Sequence, residues 1–77
     1  MNKIRDTLNR IKWTQDLSKT EVWYIHRGAP QDTGILKGDD IVSISSWCIE
    51  TKDATIPFHR IFRIIFDGTE VYSRRKT

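Results

Sequence analysis

The sequence predicts an α+β fold: an N-terminal helix packed on a small curled, mostly antiparallel sheet or open barrel of about five or six short strands. Three observations lead there. Ile4, Leu8 and Ile11 recur at i, i+4 and i+7, a single helical stripe at the start of the chain. Beyond Trp13, short β-branched and aromatic runs alternate with Gly, Pro, Asp and Ser clusters, the pattern of short strands and turns. Asp67–Gly68 stands between two apolar runs, a strong signal for a type I′ hairpin. One helix followed by a run of strands is an α+β arrangement, and short strands, hairpins and a proline-broken segment before the last hairpin are the pattern an SH3-like or Sm-like barrel would show.

The helix is expected from Lys3 to Trp13, with Arg5, Asn9 and Lys12 on one flank of the apolar stripe and Lys3 and Arg10 on the other. Asn2 is its candidate N-cap. "TQDLSKT" reads as a loop. "EVWYIH" (21–26) is a strand by composition. "RGAPQDTGILKGDD" carries Gly28, Pro30, Gly34 and Gly38 and reads as a long loop. "IVSI" (41–44) is a second strand. The apolar parity then changes from Val42 and Ile44 to Trp47 and Ile49, which requires a turn or bulge at Ser45–Ser46 before a third strand at 47–51. "KDAT" suits a hairpin turn, although Ala54 is ill-suited to a positive φ there. Pro57 lacks a ladder donor, so 56–58 is an edge, a bulge or a short turn. "RIFRIIF" (60–66) is a strongly apolar strand, returned by "TEVYSRR". Residues 75–77 read as a frayed basic tail. Trp23, Trp47, Val42, Ile44, Phe62, Ile64 and Phe66 are expected in the core.

The chain has 77 residues, one domain's worth. A chain of this size buries only roughly 60% of its unfolded surface, so the core is thin. The lone Cys48 cannot form an internal disulfide and suits a reducing compartment. The start, "MNKIRDTLNR", lacks an apolar segment of the signal-peptide kind, and no apolar run approaches the ~18 residues of a membrane span. A cytoplasmic protein without membrane contact is expected. The net charge of +3 is unevenly placed: +3 over residues 1–13, −3 over 14–58 and +3 over 59–77. If the two ends meet, they make a positive face that favours phosphate-rich partners. The other reading is a set of solvated surface charges.

Two His-Arg pairs, His26–Arg27 before Gly28 and His59–Arg60 after Pro57, stand at strand ends. Arginine offers a planar fork of donors that fits a phosphate, histidine can add an N–H, and glycine lets backbone amides approach an anion. Each pair alone could equally be structural; two together favour an anion-binding site. Two histidines and an arginine could also serve as acid, base and clamp in phosphodiester hydrolysis. Neither histidine has a hydroxyl residue two positions on, since Gly28 and Ile61 sit there, so no catalytic residue is assigned. No zinc spacing is visible, and no metal or cofactor is expected. Trp13, beside Lys12, either closes the core or stacks on a base.

"IRDTLNRIKW", "YIHRGAP" and "IPFHRI", in this order, resemble the archaeal family DUF504 (UPF0248), the MJ1316-type RNA cyclic group end recognition domain. The resemblance covers nearly the whole chain. It departs from the family pattern at "KDAT", where an Asp-Gly hairpin is usual, and at Tyr72, where tryptophan is common. It implies a module that recognises phosphate-bearing RNA ends, including 2′,3′-cyclic phosphate, in RNA repair or processing, with RNA-end-processing enzymes as partners. Carried over by motif, the implied RNA-binding positions are Arg5, Asn9, Trp13, His26, Arg27, Gly28, His59 and Arg60. A phosphodiesterase using His26 and His59, and a protein-interaction module with a basic face, are the alternatives.

Overall fold

The apolar stripe of the N-terminal segment forms the helix that its spacing predicts. In the computed structural model, which describes residues 3–14 and 16–74, α1 runs Lys3–Thr14 and buries Ile4, Leu8 and Ile11. The candidate cap Asn2 and the tail 75–77 lie outside the described residues. Seven strands follow: β1 (Thr20–Ile25), β2 (Thr33–Lys37), β3 (Ile41–Ile44), β4 (Cys48–Thr51), β5 (Thr55–Pro57), β6 (Ile61–Phe66) and β7 (Thr69–Ser73). They pair antiparallel throughout, in a four-stranded sheet of order β2-β1-β6-β7 and a three-stranded sheet of order β3-β4-β5. The fold is therefore α+β, built of two ladders rather than one continuous curled sheet.

The expected strand count of five or six falls short because "TGILK" is β2 and not loop. It forms a hairpin with β1 in the register Val22↔Leu36, Trp23↔Ile35 and Tyr24↔Gly34. The connection between them is closed by its own backbone: the His26 N–H donates to the Asp32 carbonyl, and the Ala29 N–H to the His26 carbonyl. Gly34 belongs in this strand because the Tyr24 ring lies where its side chain would be.

The core follows from the pleat. Leu36, Val22, Ile64 and Tyr72 are cross-strand neighbours in one row on the inner face. Together with Ile4, Leu8, Ile49, Ile56, Phe58 and Ile61 they form one apolar cluster, in which Tyr72 is the half-buried member. Each fully buried Leu, Ile or Val side chain contributes roughly 1.5–3 kcal/mol. The next row, Ile35, Trp23, Arg63 and Ser73, faces outward. Trp23 is thus not core. Its Nε1–H donates to Glu21 Oε1 (3.3 Å), and the Arg63 guanidinium lies 5.1 Å from the ring centroid.

Register shifts correct the other core assignments. The β3/β4 ladder shifts between Ile41 and Ser43, leaving Val42 63% exposed while Ile41 and Ile44 pack on the core. Trp47, in the Ser45–Trp47 turn, is 61% exposed. The shift in β6 opposite Trp23 and Tyr24 sends Ile61 into the core and leaves Phe62 half-buried; Phe66 is half-buried too. Thr51 explains how "KDAT" turns without positive φ. Its Oγ1 accepts from the N–H of Asp53 and Ala54, and left-handed non-glycine residues occur only at Gln31, Asp32 and Asp67 among those described. Asp67 and Gly68 form the expected tight turn, with φ of 50° and 81°.

Candidate functional site

β1 and β6 are hydrogen-bonded neighbours, and both His-Arg pairs lie at the same end of that pair. The ladder ends at Tyr24↔Ile61, where β1 runs out toward His26 and β6 begins just after His59 and Arg60. The second pair is carried by a 3-10 turn, Phe58–Arg60, which Pro57 starts in an extended conformation. Two anchors hold that turn. Phe58 is buried and donates its N–H to the Trp47 carbonyl. The Arg74 guanidinium donates from Nη1 to the His59 carbonyl (2.8 Å) and from Nη2 to the Phe58 carbonyl (3.3 Å).

Between β1, β5 and this turn lies a cleft of about 200 Å³ lined by Tyr24, Ile25, His26, Ala54, Thr55, Ile56, Pro57 and Arg60. His26 of the first motif and Arg60 of the second thus face one cavity. The His26 ring stacks on Tyr24 at the wall, with centroids 5.9 Å apart and planes 18° apart. Among the described residues, no hydrogen bond or ion pair engages the Arg60 guanidinium. Its fork of donors is open to an anion, while Ile25, Ile56 and Pro57 supply an apolar stretch of the lining.

The remaining expected site residues distribute as follows. Arg27, Gly28 and His59 are exposed immediately beside the cleft residues but do not line it. The Gly28 N–H donates to Asp32 Oδ1 (3.3 Å), so this amide serves the loop. Arg5, Asn9 and Trp13 are on α1, away from the cleft lining; Trp13 is 81% exposed and does not close the core. α1 and β7 do meet, but the β7 residues at the contact are uncharged, Arg74 turns to the Phe58–Arg60 turn, and Arg75 and Lys76 lie outside the described residues. Lys3, Asp6, Thr7 and Arg10 of α1 face Val71, Tyr72 and Ser73 of β7 across a shallow depression. Among the described residues, no three His, Cys, Asp or Glu side chains gather as metal ligands, and no helix is long and apolar enough to cross a membrane.

Sequence reasoning missed Tyr24, Thr55, Pro57 and Arg74. Tyr24 and Pro57 were in view, inside the two motifs. Arg74 carried no local signal, because its role depends on the β6/β7 hairpin bringing it back to the Phe58–Arg60 turn.

The fold and cleft define a small α+β domain in which two distant motifs build one arginine-bearing cavity. The chain belongs to the family described as the MJ1316 RNA cyclic group end recognition domain, whose model matches residues 1–74. A UPF0248 protein of Pyrobaculum islandicum is 30% identical over 77 residues, covering 95% of this chain and 89% of its own. Another, from Pyrobaculum aerophilum, is 29% identical over 77 residues, covering 95% and 99%. A UPF0248 protein of Methanococcus maripaludis is 29% identical over 76 residues, covering 94% and 99%. No solved structure matches the chain.

Proposed function

We propose that this protein is a binding module for RNA ends bearing a phosphate, 2′,3′-cyclic phosphate in particular, and that it serves RNA repair or processing beside end-processing enzymes. The observation that carries the reading is the shared cleft: His26 and Arg60 line it together. A 2′,3′-cyclic phosphate is a monoanion with two free oxygens on a ring fused to ribose. Arg60 matches the two oxygens, His26 adds a donor, and the apolar wall of Ile25, Ile56 and Pro57 fits the ribose carbons. The family's description points to the same ligand.

A binding role is favoured over catalysis by the cleft lining, in which His26 is the only histidine among the described residues. Two-histidine hydrolysis needs an acid and a base that both reach the scissile bond. The test uses one short RNA with three ends: cyclic phosphate, 3′-phosphate and 3′-hydroxyl. The cyclic end should bind at least about tenfold tighter than the hydroxyl end, equivalent to ~1.4 kcal/mol, and Arg60→Ala should erase that difference. Equal affinity for all three ends would remove the proposal. Turnover of the cyclic end, lost in His26→Ala, would replace it with the enzyme reading.

A further inference from the structure

The cleft has a neighbour on its Tyr24, Ala54 and Ile56 side. A second hollow of about 270 Å³ adjoins it, lined by Tyr24, Leu36, Asp40, Thr51, Lys52, Asp53, Ala54 and Ile56. Tyr24, Ala54 and Ile56 line both, so the two are neighbouring lobes that share a wall. Their chemistry differs. The first lobe carries Arg60 and His26 and no carboxylate, whereas the second carries Asp40 and Asp53 against the single ammonium of Lys52.

We propose that the second lobe is a base-selecting subsite for the terminal nucleotide, and that Asp40 and Asp53 favour guanine and disfavour uracil. The inference rests on the end-binding reading above, which puts the phosphate beside Arg60. A second phosphate is a poor occupant for the neighbouring lobe, because two carboxylates outweigh one lysine there. A base attached to the same ribose is a good one. Leu36, Ile56 and the Tyr24 ring offer apolar surface, and unstacked RNA bases are read on their Watson–Crick edges. A carboxylate only accepts hydrogen bonds. Guanine presents two adjacent donors, N1–H and the N2 amino group, which one carboxylate can accept side by side. Cytosine and adenine each present one amino group. Uracil presents a single N3–H flanked by two carbonyl oxygens, which face a carboxylate unfavourably. Among the described residues neither Asp40 nor Asp53 uses its carboxylate in a hydrogen bond or ion pair. Both acceptors are therefore available, and both can be changed without breaking a hydrogen bond or ion pair of the fold.

The test measures binding of short RNAs that differ only in the last base, each with a cyclic-phosphate end and with a 3′-hydroxyl end. The unmodified protein should bind the guanosine-ended cyclic phosphate at least about tenfold tighter than the uridine-ended one. Asp40→Asn or Asp53→Asn should shrink that ratio to less than about threefold while the uridine-ended RNA binds as before or better. Arg60→Ala should weaken all four cyclic ends alike and leave the base order intact. Equal affinity for the four bases, or an Asp→Asn loss shared by all of them, overturns the subsite even if the cyclic end is still preferred over the hydroxyl. Loss of that end preference with a surviving base order would overturn the phosphate reading instead, and with it the placement of the base beside Arg60.

Discussion

Replacing Gly34 with alanine tests how the cleft is held open. Gly34 stands opposite Tyr24 in the β1/β2 ladder. A Cβ there would lie 2.5 Å from Tyr24 Cζ, 2.7 Å from Oη and 2.9 Å from Cε1. Carbon atoms rest about 3.5–4.0 Å apart, so the ring must move by about 1 Å. That movement carries into His26, which stacks on the ring, and into both lobes, which the ring lines. Overpacking of this kind costs about 1–3 kcal/mol, and replacing a strand glycine returns about 0.5–1 kcal/mol. The net expectation is a destabilisation of about 1 kcal/mol, which lowers Tm by roughly 4–8 °C in a domain of this size. Affinity for a cyclic-phosphate end should fall with it. The assay is thermal and urea unfolding of Gly34→Ala, alone and in a Tyr24→Ala background. Without the ring there is nothing to displace, so the second substitution should be neutral or stabilising there, a coupling of about 1 kcal/mol or more. An equal cost in both backgrounds would refute the argument.

Three further outcomes follow from particular contacts. Arg74→Ala should cost about 1 kcal/mol, below the about 1.5–3 kcal/mol usual for charge-assisted bonds because the side chain is exposed, and Arg74→Lys should cost about as much, since an ammonium cannot span both carbonyls; wild-type stability of the lysine variant by denaturant unfolding would show that charge alone suffices. Trp13→Ala should leave stability within about 0.5 kcal/mol and leave binding of a single nucleotide 2′,3′-cyclic phosphate unchanged, while weakening a longer single strand by about 1 kcal/mol through lost stacking; an equal effect on both ligands, read by anisotropy competition, would contradict this. The hydrogen bonds from Lys37 and then Trp23 hold the Glu21 carboxyl below its ordinary pKa, so the Lys37–Glu21 pair contributes at neutral pH and is lost as the pH falls through that lowered value; Lys37→Ala should move the Glu21 titration upward by NMR, and no movement would sink the assignment.

Much of the fold was legible because its signals are local. The spacing of Ile4, Leu8 and Ile11 sets the helix, Asp67–Gly68 sets the last hairpin, and the parity change after Ile44 marks the turn that separates β3 from β4. What escaped depends on tertiary partners. Gly34 looks like a loop residue until Tyr24 is seen to need the space above it. Val42 looks buried until the shift at Ile41–Ser43 turns its neighbours inward instead, and Trp47 looks buried until it is seen to stand in the turn before β4. The candidate site divides the same way. His26 and Arg60 were visible as motif residues, but their shared cleft required β1 and β6 to be neighbours, which separation along the chain does not reveal. Asp40 and Asp53 read as turn residues, and only the packing of the two sheets sets them beside one hollow with Tyr24.

The central claim is that the RNA end occupies the cleft between β1, β5 and the Phe58–Arg60 turn. Chemical-shift mapping with a short RNA ending in 2′,3′-cyclic phosphate tests it directly. The largest changes should fall on Tyr24, His26, Thr55 and Arg60, and they should shrink when the same RNA ends in a 3′-hydroxyl. Shifts confined to Arg5, Asn9 and Trp13 on α1, with the cleft residues silent or the two ends indistinguishable, would contradict the account.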